Sequence, residues 1–254
     1  MLFVIDVGNT HTVIGVFENH TLIRDWRVHT DPGITADEFH LMISFFYQEA
    51  GIKLNFIDKT VISCVVPPII NMLAAYCQKY LNHLPLMVSS QNVNIPILYD
   101  NPAEVGADRL VNAVAAYKKY TTSLIVIDFG TATTFDVISE KGEYLGGAIS
   151  PGMGIAAEAL FSRAAKLPRV EFQPPPRAIG TNTADSMKSG ILFGYAELVD
   201  GMVQRIQDEM RPAIPKVIAT GGIAGIMEGI SKTIETVEPE LTLEGLRIIS
   251  EQIE

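Results

Sequence analysis

Two short acidic turns carry most of the chemistry this sequence offers. Asp6-Val7-Gly8-Asn9-Thr10 follows the apolar run Leu2-Phe3-Val4-Ile5 and leads into Val13-Ile14-Gly15-Val16-Phe17. Asp128-Phe129-Gly130-Thr131-Ala132 follows Leu124-Ile125-Val126-Ile127 and leads through Thr133-Thr134 into Phe135-Asp136-Val137-Ile138. A glycine lets such a turn present backbone N–H groups, and threonines add hydroxyls, so phosphate oxygens are natural guests; the strand-end carboxylate suits a cation or its water. A single copy reads as an ordinary β-hairpin, for which Asp-x-Gly is common. Two copies half a chain apart predict a duplicated domain with one phosphate turn per half and a nucleotide cleft between the halves.

A third segment, Gly106-Ala107-Asp108-Arg109, opens a predicted helix. Two readings of Asp108 stand side by side. It is a helix-terminal charge favoured by the helix dipole, or it is a base that takes a hydroxyl proton while Arg109 binds an acidic substrate or steadies transferred charge. Thr220-Gly221-Gly222 either lets an adenine lie against the backbone or is a strand-to-helix turn. No Gly-x4-Gly-Lys-[Ser/Thr] loop occurs, so phosphate must be held by other devices. Gly152-Met153-Gly154-Ile155-Ala156-Ala157 meets the weak dinucleotide pattern, but Pro151 and a glycine-rich stretch precede it, which favours close helix packing. The five histidines do not cluster at metal spacing, and Cys64 and Cys77 read as reduced, partly buried thiols.

The elements that must position these groups follow from pattern. The chain has 254 residues, 48% hydrophobic and 19% charged, enough for substantial cores. Its 19 basic against 29 acidic residues give a net charge of −10, with no basic run, which argues against a nucleic-acid groove. An anionic ligand must then be held by amides, a bound cation or single arginines. No apolar stretch reaches the ~18 residues of a membrane span, and the N-terminal run lacks the basic flank of a signal peptide, so a cytoplasmic protein is expected. Strands are predicted over 21–28, 61–65 and 86–88, with helices following the Thr35-Ala36-Asp37-Glu38 capping box and over 70–81 and 108–120. The second half repeats the plan: strands at 123–128, 134–139, 143–149 and 217–220, and helices from Gly154 to Ala165, near 223–231 and over 243–252. The long helix between them is marked by Met187, Ile191, Tyr195, Leu198, Met202 and Ile206, with Asn182 or Thr183 as its cap. Gln173-Pro174-Pro175-Pro176-Arg177 reads as a stiff surface loop. The expected class is α/β, with mixed sheets flanked by helices and domains at 1–117 and 118–254.

Taken in order, these segments, together with Gly146-Gly147-Ala148-Ile149-Ser150-Pro151-Gly152 and Asn182-Thr183, resemble the type III pantothenate kinases over nearly the whole chain. The resemblance implies membership of the acetate and sugar kinase, heat-shock chaperone and actin superfamily, with two ribonuclease-H-like domains built on five-stranded sheets, and a homodimer. It implies that Asp6, Val7, Gly8, Asn9, Thr10, His11, Thr12, Val13 and Thr131 contact ATP, brought with Mg²⁺. Asp128 would bind K⁺ or NH4⁺. Tyr99, Gly106, Ala107, Asp108, Arg109 and Thr183 would surround pantothenate, with Asp108 as proton acceptor, in the first step of coenzyme A synthesis. A kinase of another small hydroxyl or carboxylate substrate would keep both turns and differ only around Tyr99, Asp108, Arg109 and Thr183. A nucleotide-binding regulatory protein of the same superfamily would need no base.

Overall fold

The computed structural model describes residues 1–164 and 166–253. They fall into two compact units, one of residues 1–118 with the chain from Leu241 onward, the other Lys119–Glu240. In the first, β1 (Leu2–Val7), β2 (His11–Glu18) and β3 (Thr21–His29) form an antiparallel meander, and β4 (Lys59–Cys64) and β5 (Leu86–Met87) add in parallel beyond β1. The sheet order is β3-β2-β1-β4-β5. The second unit has β6 (Leu124–Phe129), β7 (Ala132–Ile138), β8 (Tyr144–Pro151), β9 (Lys216–Gly221) and β10 (Thr236–Val237). Read from its meander edge, its order is β8-β7-β6-β9-β10, the same sheet again with the same parallel and antiparallel pairs.

Local chemistry sets the helices of the first unit. α1 (Ala36–Ala50) begins at the predicted capping box, where the Glu38 N–H donates to Thr35 Oγ1 at 3.3 Å and the Thr35 N–H donates back to Glu38 Oε2 at 2.9 Å. α2 (Pro67–Tyr76) starts earlier than predicted, because Pro67 and Pro68 occupy its first turn, where a missing N–H costs nothing. It continues as a π-helical turn to Leu81. Phe39, Ile43 and Tyr47 of α1 and Leu73 and Tyr76 of α2 close over Phe3, Ile5 and Ile62 of the sheet. α3 (Ala107–Tyr120) buries Leu110, Val111 and Val114 as its apolar period requires.

One boundary differs from expectation. The second domain does not run to the C terminus, because α7 (Leu241–Gln252) packs with the first unit. Leu243 lies over Gly15 of β2, and Lys59 of β4 donates its ammonium to the carbonyls of Ser250 and Ile253, capping the helix end. Its apolar stripe, with Leu243, Leu246 and Ile249 buried, is spent there.

In the second unit α4 (Met153–Arg163), α5 (Thr183–Glu209) and the short α6 (Ala224–Glu228) accompany the sheet. The predicted end of the first of these at Ala165 lies outside the described residues. Asn182 caps α5, accepting from the Asp185 N–H at 2.9 Å. The helix buries Leu192, Ala196, Val199 and Val203, one step round from the predicted stripe. Of that stripe, Met187 and Tyr195 are buried, whereas Leu198 is 39% exposed. Leu192, Tyr195, Val199 and Val203 fill the core with Ile125, Ile127 and Phe135, and Ile191, Met202 and Ile206 of the predicted stripe pack against it, partly buried.

Candidate active site

The first turn is built by the end of β1. Asp6, half-buried, stands in register with Val13 on β2 and Ser63 on β4. The Gly8 N–H donates to the His11 carbonyl at 3.0 Å, and the loop is then fastened to the end of β3. Thr30 donates its hydroxyl to the Gly8 carbonyl at 2.7 Å and its N–H to the Thr10 carbonyl at 2.9 Å, and its Oγ1 lies 3.0 Å from that of Thr12. Val7 and Thr12 are buried supports; Asn9 and His11 form an exposed tip. Thr30 is the residue that sequence reasoning missed here, and the only signal for it was a threonine just past a third strand. Burial pushes the Cys64 thiol pKa up; its hydrogen bond with Val66 opposes this, and the Asp6 carboxylate adds to it.

The same unit carries the acceptor-side candidates. Tyr99 is exposed in the loop before α3. Asp108 sits in the first turn of α3, its Oδ1 accepting the Arg109 N–H at 2.8 Å. A Cβ at residue 106 would stand 2.5 Å from that same oxygen, so Gly106 is the space the carboxylate occupies. Burial raises the Asp108 pKa above the usual carboxylate range, opposed by the Arg109 N–H and by the Arg109 charge. Arg109 itself is buried. A desolvated carboxylate with raised basicity beside a guanidinium is suited to taking a proton from a hydroxyl and to holding an anionic substrate.

The second unit holds the other candidates. Asp128, at the end of β6, is in register with Thr134 on β7 and Thr220 on β9. Gly221 takes φ 94°, and a Cβ there would be 2.6 Å from Asp128 Oδ1, so a side chain is excluded on both counts. The turn itself is closed by the Gly130 N–H to the Ala132 carbonyl at 3.1 Å. It is fastened from outside by the Gly152 N–H to the Thr131 carbonyl at 3.0 Å, and by Tyr195 of α5, whose hydroxyl contacts Thr133 Oγ1 at 2.7 Å and the Pro151 carbonyl at 2.8 Å. Gly152 and Tyr195 in these roles were not foreseen. Thr183 opens α5 on the rim of a groove of about 910 Å³ lined by Met153, Leu160, Asn182, Met187, Ile191 and Leu198.

The structure therefore brings Asp6–Val13, Tyr99 and Gly106–Arg109 into one unit and Asp128, Thr131 and Thr183 into the other. A carboxylate flanked by two threonines fits a hard monovalent cation. Among the described residues no group of three or more His, Cys, Asp or Glu is placed to hold a metal ion. No helix of the described residues is long and apolar enough to cross a membrane.

The model of the type III pantothenate kinase family matches residues 2–205. The chain belongs to that family. A type III pantothenate kinase of Desulfatibacillum aliphaticivorans is 60% identical over 255 residues, covering 100% of this chain and 99% of the relative. One from Desulforapulum autotrophicum is 59% identical over 99% of this chain and 97% of its own length. Among solved structures, a candidate 2-dehydro-3-deoxygalactonokinase from Sinorhizobium meliloti superposes with a TM-score of 0.59 at 13% identity, covering 100% of this chain and 99% of that one. This last likeness concerns the fold: two sheets of the ribonuclease-H-like kind, each flanked by helices.

Proposed function

We propose that the chain transfers the γ-phosphoryl group of ATP to the primary hydroxyl of pantothenate, giving 4′-phosphopantothenate for coenzyme A synthesis. The observation that carries this reading is full-length identity of 60% with a type III pantothenate kinase, in a chain that keeps both acidic turns and Asp108. Phosphoryl transfer asks the protein for alignment and charge neutralisation more than for covalent chemistry. The amides and hydroxyls of Asp6–Val13 and Thr131 would hold the ATP phosphates, whose charge the Mg²⁺ brought with the nucleotide would help neutralise. Asp128 holds K⁺ or NH4⁺, which adds positive charge where lysines are scarce. Asp108 accepts the pantothenate hydroxyl proton, and its raised pKa makes it a better acceptor than an ordinary carboxylate. Arg109 pairs with the pantothenate carboxylate, while Tyr99, Gly106, Ala107 and Thr183 bound the same substrate.

The enzyme works in the cytoplasm as a homodimer. Support for the dimer is the groove beside α5, where Leu198 and Leu160 of α4 are each more than a third exposed. Light scattering at working concentration should give twice the chain mass; a monomer mass would overturn it. The function is tested by coupled ADP release with pantothenate and with other small alcohols and acids, in K⁺ and in Na⁺ buffers containing Mg²⁺. Turnover should require pantothenate and rise with K⁺. Equal turnover on an unrelated alcohol would reassign the acceptor, and no turnover on any would leave a binding protein.

A further inference from the structure

Asp136 is a carboxylate with no exposure at all, set in the middle of β7 between Phe135 and Val137. Burying a carboxylate in a sheet is costly unless it is well bonded. Asp136 accepts the Tyr144 hydroxyl of β8 at 2.7 Å and the Thr134 hydroxyl at 3.1 Å. Thr134 is two residues back on the same strand, hence on the same face, and it is the residue in register with Asp128. On the other side of Asp128, also in register, stands Thr220. The face therefore bears a row Thr134–Asp128–Thr220, with Asp136 behind Thr134.

The first sheet shows that the fold does not demand this arrangement. Its topology is the same, and the residue across from Asp6 on β2 is Val13, where the second sheet has Thr134. Two residues further on, Gly15 stands across from Val4 where Asp136 stands across from Val126. A valine and a glycine serve where the second unit uses a hydroxyl and a buried carboxylate. The polar pair belongs to what is particular to the second turn.

A hydroxyl has one proton and two acceptor lone pairs. With its proton committed to Asp136, Thr134 has no proton to give Asp128, and its oxygen remains a ligand for a positive charge. We propose that Asp136 is a positioning residue for a monovalent cation held at Asp128: it fixes the Thr134 hydroxyl so that the oxygen accepts from, or ligates, that cation, and Tyr144 holds Asp136 in place. This rests on the assignment of Asp128 to K⁺ or NH4⁺ made above.

Thermal-shift titration of the full chain with KCl, in the presence of Mg²⁺ and a non-hydrolysable ATP analogue and with choline chloride holding ionic strength, reads cation binding apart from turnover. In Asp136→Asn the amide NH₂ competes for the Thr134 or Tyr144 oxygen, and the K⁺ midpoint should rise about 10-fold or more, the size usual for losing a group that orients a ligand. Thr134→Val should do the same, and Thr134→Ser should stay within about twofold of wild type by keeping the hydroxyl. Wild-type K⁺ midpoints in both Asp136→Asn and Thr134→Val, whatever their melting temperatures, would overturn the proposal and leave Asp136 a structural bond. Should Asp136→Asn fail to fold, the contrast between the valine and serine variants decides alone. If wild type and Asp128→Asn are equally insensitive to K⁺, the cation assignment itself fails. A response lost only in Asp128→Asn, with Thr134→Val unchanged, keeps that assignment and removes this inference.

Discussion

The two hairpin turns sit at the same point of the same sheet topology, yet one is fastened by side-chain hydroxyls and the other by backbone and a distant helix. Around Gly8 the brace is Thr30 with Thr12, both supplied by the meander itself. Around Gly130 it is the Gly152 N–H, the close pass of Gly221 and the hydroxyl of Tyr195 on α5. A brace of hydroxyls can be loosened one bond at a time, whereas a glycine packed against backbone admits no substitution by degrees. Duplication thus supplied two equal scaffolds. The first unit carries the proposed base, Asp108, on α3; the second carries the carboxylate proposed to hold the cation, Asp128, in a row of threonines.

The largest effect expected from this division is on the base. Asp108→Asn keeps shape and the bond from the Arg109 N–H but removes proton acceptance, so kcat should fall by roughly 10²-fold or more with ATP binding retained. Changes that weaken either turn should instead act on nucleotide or cation affinity. Near-normal kcat in Asp108→Asn would erase the contrast between the units.

Next comes the rigid turn. Gly221→Ala must leave φ 94° or displace Asp128 Oδ1 and the Phe129 backbone, and should cost about 1–3 kcal/mol of unfolding free energy, measured by denaturant melts. Tyr195→Phe leaves the buried Thr133 hydroxyl short of a partner and should cost about 1–2 kcal/mol. Thr30→Val, isosteric, should cost about 1 kcal/mol and raise KM for ATP more than it lowers kcat, because it frees the turn without touching the base. If Thr30→Val proved more damaging than Gly221→Ala, the ranking of the two braces would be reversed.

Much of this was legible in the chain. Asp-x-Gly between apolar runs, occurring twice, foretold two like sheets, and Thr35 with Glu38 located the start of α1. What stayed hidden depends on which surfaces meet. The apolar period of α7 says that it packs but not on which sheet. On α5 the period marked Ile191, Tyr195, Met202 and Ile206, which meet the core, but passed over Leu192, Val199 and Val203, which lie within it. β10 spans only Thr236–Val237, too short to alternate. Among site residues, Thr30 and Tyr195 act through partners far away in sequence. Asp136 did leave a trace: an acidic residue inside Phe135–Ile138, where an apolar strand had no local use for it.

The smallest effect has the most informative sign. Burial raises the Asp108 pKa in the folded protein above its unfolded value. Below the unfolded pKa the group is neutral in both states and contributes nothing. As pH rises between the two values the folded state holds the proton more tightly, so stability falls; above the folded pKa that loss is complete. Asp108 is thus a burden on the fold at neutral pH, and Asn removes it. The stability of Asp108→Asn relative to wild type should therefore increase as pH rises from below the ordinary carboxylate pKa of about 4 towards neutral, ending at or above wild type. A carboxylate kept only to complement the dipole of α3 predicts the reverse, a loss of up to about 1 kcal/mol at neutral pH that fades in acid. Melting curves of the two proteins across that range separate a strained base from a helix-terminal charge, independently of any assay of turnover.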